Sequence, residues 1–538
     1  MKILGFQSGH DVSYCLLDNG IPVLHEELER FIRKKEPEGD GLKFAFSSLP
    51  KEIADDIGYF SLGNYGVWSD KALKAWGPEG TELAKYDAES CYNQDAVDKM
   101  ESLIQKNTGG FYQVSHHQSH AANAFYTSNF ERALIVTMDG GGWESDTLST
   151  AFTISLGEGN KITTLRVFEP VRINLGQLWS RMTGKVYGLS TGYPYGKQMG
   201  TVMAMATMGN PTYVSEIHPA GDLMDYEKLK KIADSSEQEA FNIAASLQAA
   251  TEQVIFQTIN PYVTHYGTEN ICFSGGVSLN CVALGKLATY NPQLNIFCDP
   301  VPYDGGLSIG SARYVWHHIL NNPRIYDNPK NQSSYLGRKY ANDSSFEEVL
   351  NKYDNLEIKE TNDDEVLKLL DEGNIISVFG GGSESGRRAL GNRSILADPR
   401  DPNMKKTLNA KVKHRQWYRP FAPSILREEV KNYFKVDVSS PYMSLAVEFK
   451  DDVKDKVPAV LHFDNTGRLQ TVTEDQNKWY YNFIKKWHKL SGVPILLNTS
   501  FNDREPIVET PENAINCFLG TNIDYLYFFE FGLLLKKK

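Results

Sequence analysis

Residues 133–142 read ALIVTMDGGG, an aliphatic run that ends in an acid and three glycines. The run predicts a buried strand, and Asp139 to Gly142 predict a tight turn at its end. The same succession of strand and glycine turn occurs at residues 3–11 and again at residues 270–276. Backbone N–H groups in such turns form concave sites that suit nucleotide phosphates. A single junction is more often only a tight turn, but three together favour a nucleotide site.

The order of these junctions predicts the fold class. Ser8 to Asp11, Asp139 to Gly142 and Ser274 to Gly276 follow one another as in the actin, sugar kinase and heat-shock ATPase superfold, whose loops close around ATP. A helical pattern at Glu237 to Val263 lies between the strands, so the first part of the chain is predicted to be α/β. The glycines expected to contact the nucleotide are Gly140, Gly141, Gly275 and Gly276.

A second α/β unit is predicted after a linker. The chain of 538 residues exceeds what one hydrophobic core usually serves, and Asn321 to Ser334 is rich in Asn, Pro, Asp and Ser. We therefore expect domains at 1–330 and 331–538. The second unit has a strand at Ile375 to Phe379 followed by three glycines, and a strand at Pro494 to Leu497 that leads into a polar turn.

The composition restricts the partners. A formal net charge of -11 argues against broad binding to a nucleic acid backbone. The first residues lack the pattern of a secretory signal, and no apolar run approaches the roughly 20 residues needed to cross a bilayer. We expect a cytoplasmic protein with no membrane contact. The six cysteines form no CxxC pair and are interpreted as buried free thiols.

A metal site is predicted where the segment from Ser115 to Ala124 begins a helix. His116 and His120 then lie at i and i+4 on one face, a spacing at which two imidazoles can share a metal. Asp139 and Asp304 are the natural further ligands, since each follows a strand. Two histidines and two aspartates suit iron, zinc or manganese. Capping or hydrogen-bonding histidines are the alternative, and His117 is expected to point elsewhere.

Arginines are concentrated in the second unit. Glu384 to Ser394 contains three of them beside glycines, and a basic run continues to Pro423. Lys405 and Lys406 are interpreted as a solvated face. Arg388, Arg393 and Arg419 stand beside glycine and proline turns and predict a site for one strongly anionic small substrate, because guanidinium groups bind such oxygens bidentately.

These motifs resemble the O-carbamoyltransferase family of the NodU and tobramycin carbamoyltransferase type. The resemblance covers most of the chain, and the segments that carry it are 9–11, 116–120, 196–200, 275–281, 304–310, 388–400, 419–423 and 498–502. It implies a first domain like the tRNA threonylcarbamoyl transferase subunit and a YrdC-like α/β second domain. It also implies an ATP-dependent transfer of the carbamoyl group from carbamoyl phosphate, through carbamoyl adenylate, to a hydroxyl group.

The resemblance further implies residue roles. His116, His120, Asp139 and Asp304 would hold one divalent metal, with Fe²⁺ preferred and Zn²⁺ or Mn²⁺ as alternatives, and Mg²⁺ would accompany ATP. The nucleotide would be bound by Lys197 and by the loop from Gly275 to Asn280. Carbamoyl phosphate would be bound by Arg388, Arg393, Arg419, Asn498 and Ser500, of which Arg388 and Arg393 would also neutralise developing charge. His10, beside Asp11, would position or deprotonate the acceptor hydroxyl.

Several questions stay open at this level. The family pattern has a proline before the Ala-Leu-Gly arginine and Arg-Met-Glu ahead of it, where this chain has Arg387 and Gly382-Ser383-Glu384. A kinase or ATPase of the same superfold, a non-catalytic nucleotide or metal sensor, and carbamoyl transfer to a nucleic acid or a modified nucleotide or base are alternatives. The acceptor could equally be a sugar or an antibiotic-like metabolite, and the oligomeric state is open, a homodimer being one option.

Overall fold

The computed structural model describes residues 1–64, 92–145, 147–190, 198–221, 223–341 and 346–538. The strands of this part of the chain form three large sheets and one two-stranded ribbon. They are β1 Lys2–Gln7, β2 Gly9–His10, β3 Ser13–Asp18, β4 Ile21–Glu27, β5 Glu38–Gly39, β6 Ile57–Leu62, β7 Gly110–Gln113, β8 Arg132–Trp143, β9 Ser149–Glu158, β10 Lys161–Phe168, β11 Asn270–Ser274, β12 Asn295–Cys298, β13 Leu356–Glu360, β14 Ile376–Phe379, β15 Arg393–Ala397, β16 Ala422–Leu426, β17 Leu445–Glu448, β18 Thr466–Val472, β19 Ile495–Ser500, β20 Tyr525–Phe528 and β21 Leu533–Lys537.

The first two sheets have the same architecture. One has the order β4-β3-β1-β6-β7 and the other β10-β9-β8-β11-β12. In each, three strands form an antiparallel meander, and the first strand of the meander pairs in parallel with the fourth. The fifth strand then pairs in parallel with the fourth. The chain therefore repeats one five-stranded α/β unit, which is the duplicated arrangement of the predicted superfold.

Helices cover these sheets and connect the strands. They are α1 Leu28–Ile32, α2 Gly41–Ser48, α3 Lys51–Ala54, α4 Gln94–Asn107, α5 His116–Thr127, α6 Leu175–Arg181, α7 Met199–Met205, α8 Tyr226–Ala233, α9 Glu237–Tyr266, α10 Cys281–Tyr290, α11 Leu307–Tyr314, α12 Phe346–Leu350, α13 Asp363–Asp371, α14 Met404–Lys411, α15 Val430–Tyr433, α16 Lys478–Ser491 and α17 Pro511–Leu519. None of the helices in the described ranges is both long and apolar enough to cross a membrane.

Two of these helices, α5 and α11, pack against each other and bring the two repeats together. Gly310 lies at their crossing, where an added Cβ atom would stand 1.9 Å from the carbonyl oxygen of Ser119. On its other side α11 packs on β1, and a Cβ atom at Gly5 would stand 1.9 Å from the carbonyl oxygen of Ser308. Glycine at both positions allows these close approaches. The N-terminal ends of both helices consequently lie side by side.

The third sheet belongs to the second half of the chain. Its nine strands have the order β13-β21-β20-β14-β15-β19-β16-β18-β17, with parallel and antiparallel pairs mixed. The helices α13 and α16 cover one face through buried residues that include Leu370, Tyr480 and Trp487. The predicted α/β class and the division into two parts are confirmed. The boundary itself stays a prediction: described residues 321–341 contain no helix or strand, but Arg313 anchors this stretch through Asn331.

Two segments predicted to be turns are in fact ends of strands. The strand β8 runs through the glycines to Trp143, with an irregularity in pairing between Met138 and Gly142. Likewise β19 continues through Ser500, because its polar residues pair with β15. Cross-strand hydrogen bonding outweighs the turn propensity of glycine and asparagine at these positions.

The two halves of the chain are joined by specific contacts. Arg30 is buried and donates to the carbonyl oxygens of Glu384, at 2.9 Å, and Gly386, at 2.6 Å. The amide of Gly386 donates in return to Glu27 Oε2 at 3.0 Å. The loop that carries the predicted substrate-binding arginines is thereby docked on the first half.

Candidate active site

A cavity of about 1700 Å³ lies between the two halves and is lined by residues of both. Ligand sites of proteins usually measure roughly 300–1,000 Å³. The cavity therefore has room for more than one small substrate at a time. Its walls include the ends of β8 and β19, the N-terminus of α10 and the loop from Arg387 to Ala389.

The four predicted metal ligands lie together in this part of the protein. One ligand atom from each of His116, His120, Asp139 and Asp304 lies within 4.8 Å of those of the others. The first five residues of α5 supply the histidines, β8 supplies Asp139, and the turn that precedes α11 supplies Asp304. The Nε2 atom of His120 is 3.0 Å from Asp139 Oδ2 and 3.4 Å from Asp304 Oδ1, and His116 Nε2 is 3.8 Å from a carboxylate oxygen of each aspartate.

These residues fit a divalent cation. Both Nε2 atoms are buried and have no partner in hydrogen-bonding geometry among the described residues. Burial lowers the pKa of the His120 imidazole, but the Asp139 and Asp304 carboxylates raise it to about 10. The two carboxylates therefore favour a positive charge at this position, which a metal can supply. Two imidazole nitrogens and two carboxylate oxygens are ligands that suit iron, zinc and manganese.

His117 is used differently, as expected. Its Nδ1 atom is 2.6 Å from Thr137 Oγ1 and its Nε2 atom is 3.0 Å from the carbonyl oxygen of Thr150. Burial, followed by the neighbouring imidazoles, lowers the pKa of His117 well below its ordinary value. Both nitrogens are occupied, so this ring packs α5 against β8 and β9 and stays outside the metal group.

His10 and Asp11 lie at the edge of the metal group. Nδ1 of His10 is 3.1 Å from Asp11 Oδ2, and Nε2 is 3.2 Å from Asp304 Oδ2. Both residues line the cavity. Asp11 has a positive φ of 53°, which is uncommon for a residue with a side chain. Asp11 can therefore orient the His10 imidazole toward a ligand that lies beside the metal group.

The predicted nucleotide residues lie near the same point. Gly140, Gly141, Gly276 and Asn280 line the cavity. Gly275 is required by the backbone, since its φ is +87° and an added Cβ atom would stand 2.2 Å from the carbonyl oxygen of Met138. This close approach brings the loop against β8.

Gly276 and Asn280 form hydrogen bonds within the protein. The amide of Gly276 donates to Asp139 Oδ2 at 3.0 Å, so it positions a metal ligand. Asn280 Oδ1 caps α10 through the amide of Ala283 and accepts from Gln248, which engages that atom within the protein. Lys197 lies outside the described residues.

Gly142 supplies a test of the metal group that leaves all four ligands in place. An added Cβ atom would stand 2.1 Å from the ring of His116. We expect Gly142→Ala to displace this imidazole and weaken metal affinity by roughly 10-fold or more. Elemental analysis after dialysis against a graded chelator measures the effect. Gly140→Ala is the matched control, because its Cβ atom would meet nothing within 4 Å, and equal metal retention by both variants would contradict the assignment.

The opposite wall of the cavity is strongly basic. The arginines of the lining include Arg388, Arg415, Arg419 and Arg468. Burial, followed by repulsion from Arg468, lowers the pKa of Arg388 well below its ordinary value, and burial followed by Arg419 does the same for Arg415. No carboxylate of the described residues forms an ion pair with these four side chains, and the hydrogen bonds that they donate go to neutral oxygens. We call these residues the arginine cluster.

A short loop folds so that Arg388 reaches this wall. The carboxylate of Glu384 accepts hydrogen bonds from the amides of Leu390 at 2.8 Å, Asn392 at 2.7 Å and Arg393 at 3.2 Å. The backbone thus closes around one buried acid, and the side chain of Arg388 projects into the cavity.

Asn498 and Ser500 lie beside the arginine cluster on β19. Asn498 is fully buried and its Oδ1 atom has no hydrogen-bond partner among the described residues. Lys413 is also buried and donates to the carbonyl oxygens of Ser500, at 2.5 Å, and Asn502, at 2.7 Å. Its ammonium group therefore supports the end of β19.

Arg393 is not brought to the cavity. It is fully buried, its guanidinium group donates to the carbonyl oxygens of Gly380 at 2.6 Å and Asn392 at 3.0 Å, and it stacks 3.7 Å from the centre of the Phe379 ring. The structure thus separates Arg393 from the other predicted ligands of carbamoyl phosphate, because its strand β15 directs this side chain to the far side of the loop.

The sequence does not predict two members of the arginine cluster as site residues. Arg468 lies on β18, far in sequence from the other three arginines, and Arg415 is one of several residues in the basic run that continues to Pro423. Strand β18 pairs with β16, which follows Arg419 directly, and this pairing brings Arg468 to the cavity. An alternating strand pattern around Arg468 could have indicated only that it faces one side of a sheet.

Comparisons with known proteins found two matching family models and several relatives. The family descriptions "Carbamoyltransferase N-terminus" and "Carbamoyltransferase C-terminus" match residues 82–220 with 214–313, and 367–535. An uncharacterized protein of Synechocystis sp. is 31% identical over 97% of this chain and 95% of its own length. Nodulation protein NolO of Bradyrhizobium diazoefficiens is 34% identical over 77% of each chain. HypF from T. kodakarensis is similar with a TM-score of 0.37 and 15% identity, over 58% of this chain and 47% of that one.

These matches define a carbamoyl-transferring enzyme with an N-terminal and a C-terminal part. The protein belongs to the carbamoyltransferase family. The resemblance drawn from the sequence motifs is thereby confirmed.

Proposed function

We propose that the protein is an ATP-dependent O-carbamoyltransferase that acts through carbamoyl adenylate on a small hydroxyl-bearing acceptor. One observation carries this proposal: a single cavity has an acid and imidazole group fit for a metal on one side and a carboxylate-free arginine cluster on the other. An enzyme that handles a phosphorylated carbamoyl donor and a nucleotide needs both kinds of site within reach of each other.

The arginine cluster is proposed to bind carbamoyl phosphate. Arg388 and Arg419, with Asn498 and Ser500, would hold the phosphate and the carbamoyl amide, because guanidinium groups bind phosphate oxygens and an asparagine oxygen without a partner can accept from an amide. Hydrolysis of the donor by water releases phosphate and leaves carbamate. Arg388 would offset the negative charge that develops as the bond to phosphate breaks.

The nucleotide is proposed to lie between the two walls. The carbamate oxygen attacks the α-phosphorus of ATP, a new P–O bond forms to give carbamoyl adenylate, and the bond from the α-phosphorus to the bridging oxygen breaks to release pyrophosphate. Mg²⁺, which would accompany ATP, would offset the charge of the pyrophosphate. Lys197 and the loop from Gly275 to Asn280 would bind the nucleotide, and Gly140 and Gly141 leave room for its phosphates. A divalent metal, Fe²⁺ in the first instance, would be held by His116, His120, Asp139 and Asp304 and would polarise the adenylate phosphate.

His10 is proposed to act on the acceptor. Its ring borders both the cavity and Asp304, so a hydroxyl group placed beside the metal group would lie within its reach. His10 would orient this hydroxyl or take its proton while the oxygen attacks the carbamoyl carbon and AMP leaves. The acidic net charge of -11 favours a small acceptor, such as a sugar or a hydroxymethylated nucleotide, over a polynucleotide.

The test is an incubation of the metal-loaded protein with ATP and carbamoyl phosphate but without acceptor. We expect pyrophosphate and AMP, both dependent on carbamoyl phosphate, when the products are separated by chromatography. Omission of carbamoyl phosphate is the control. ADP as the only nucleotide product would replace the proposal with a kinase or ATPase of the same superfold, and ATP binding without any product would indicate a sensor.

A further inference from the structure

The loop between Gly386 and Arg388 sends two neighbouring arginines in different directions. Arg388 joins the arginine cluster, whereas Arg387 crosses to the first half of the chain. There its NH2 group donates to Asp11 Oδ1 at 2.7 Å and its NH1 group donates to Glu36 Oε1 at 3.2 Å. The centre of its guanidinium group also lies 4.3 Å from the centre of the Tyr303 ring. Three contacts thus fix this side chain across the boundary.

Asp11 connects this contact to the proposed acceptor site. One of its carboxylate oxygens meets Arg387, and the other meets Nδ1 of His10 at 3.1 Å. The far nitrogen of the same imidazole is 3.2 Å from Asp304. A continuous chain of polar contacts therefore runs from the second half of the protein through Arg387, Asp11 and His10 to the metal group.

The backbone of Asp11 and of the loop around Gly386 holds the two contacting residues in place. Asp11 has a φ of 53°. This conformation is unfavourable for a residue that has a side chain, unless the surroundings stabilise it. The adjoining loop is docked independently, since the amide of Gly386 donates to Glu27, which also accepts a hydrogen bond from Tyr303. The docked loop thus places Arg387 beside Asp11, and the guanidinium group of Arg387 contacts the Asp11 carboxylate.

We infer that Arg387 is a positioning residue, which acts through Asp11 to hold the His10 imidazole for the transfer of the carbamoyl group. The inference rests on the proposed function and concerns its last step. The same loop carries Arg388. Arg388 at the proposed carbamoyl phosphate site and His10 at the proposed acceptor site are therefore positioned by neighbouring residues of one loop.

The experiment follows the two half-reactions separately in the metal-loaded full-length protein. With ATP and carbamoyl phosphate and no acceptor, water takes the place of the hydroxyl group. Rapid quenching then gives the pyrophosphate burst, which reports adenylate formation, and the steady release of AMP, which reports transfer. For Arg387→Met we expect a burst within about twofold of wild type and AMP release lowered roughly 10- to 100-fold, the range that misplacement of a reacting group costs.

Four further variants make the result specific. Arg387→Lys keeps a charge that can reach Asp11 and is expected to recover most of the AMP release. Glu36→Gln removes only the outer ion pair and is expected to leave both phases within about twofold. Asp11→Asn combined with Arg387→Met is expected to be no slower than Asp11→Asn alone, because the two residues act in series.

The outcomes separate the inference from the proposed function. Absence of any carbamoyl-phosphate-dependent pyrophosphate in the wild-type protein, in the burst or at steady state, would end the proposed function and the inference together. A wild-type burst with equal losses of burst and AMP release in Arg387→Met, or a raised KM for carbamoyl phosphate, would instead mean that Arg387 acts at the donor site. Unchanged AMP release in Arg387→Met would overturn the inference and leave the proposed function standing.

Discussion

His120→Ala is expected to lose the bound metal and to lower carbamoyl-phosphate-dependent AMP release by more than about 100-fold. His120 is fully buried, and its Nε2 atom approaches both Asp139, at 3.0 Å, and Asp304, at 3.4 Å. Its removal leaves two carboxylates facing a single imidazole in a water-poor site. Loss of a residue that only supports a ligand already costs 10- to 100-fold in metal affinity or activity, so loss of a ligand should cost more. Elemental analysis and the AMP assay give the two values on one sample.

His117→Gln is the matched control for this prediction. His117 belongs to the same helix turn and is equally buried, but its nitrogens contact Thr137 and Thr150. We expect this variant to keep one metal per chain, although the loss of the imidazole should lower its thermal stability. Undiminished metal content in His120→Ala would refute the metal group. Equal metal loss in both variants would mean that the metal is lost because α5 is disturbed, and not because a ligand is removed.

The metal group could be predicted because its evidence is local. The i, i+4 spacing of His116 and His120 depends only on helix geometry. Asp139 lies in the last part of β8 and Asp304 in the turn between β12 and α11, near the strand ends where α/β sheets gather functional side chains. The duplication of the five-stranded sheet was not visible in the sequence, since equivalent strands need only share an apolar pattern. The duplication becomes evident only from the pairing between strands that are distant in sequence.

The basic wall was harder to predict for the same reason. The motif around Arg388 and Arg393 shows a dense group of arginines, but the sequence cannot show that the loop closes around Glu384 and turns Arg393 away. Arg468 joins the cavity only because β18 pairs with β16. Long-range pairing and the direction of a buried side chain are tertiary properties, and residue types at short spacing carry little information about them.

Arg388→Met is expected to abolish the use of carbamoyl phosphate at concentrations that saturate the wild-type protein, with KM raised roughly 100-fold. A hydrogen bond to a charged group is worth about 1.5–3 kcal/mol, and a bidentate contact to phosphate makes two of them. ATP binding should be nearly unchanged, because the glycine loops and the metal group stay intact. Steady-state assays with each substrate varied in turn measure both effects. Arg393→Met is the comparison, since this side chain lies away from the cavity and its loss should lower stability without a selective effect on KM.

The same substitution should stabilise the protein when no ligand is present. Burial and the nearby Arg468 lower the pKa of Arg388, which means that the fold disfavours the charged form of this side chain. Replacing an uncompensated, largely buried charge with methionine should therefore raise the free energy of unfolding by about 1 kcal/mol. Saturating carbamoyl phosphate should reverse the order, because ligand at 100 times its Kd adds about 2.7 kcal/mol to the wild-type protein only. Thermal denaturation with and without ligand tests both statements. If Arg388→Met is less stable than wild type in both conditions, Arg388 stabilises the folded protein. If the variant has the higher melting temperature without ligand and the lower one with ligand, the charge of Arg388 destabilises the free protein and stabilises the complex with an anion.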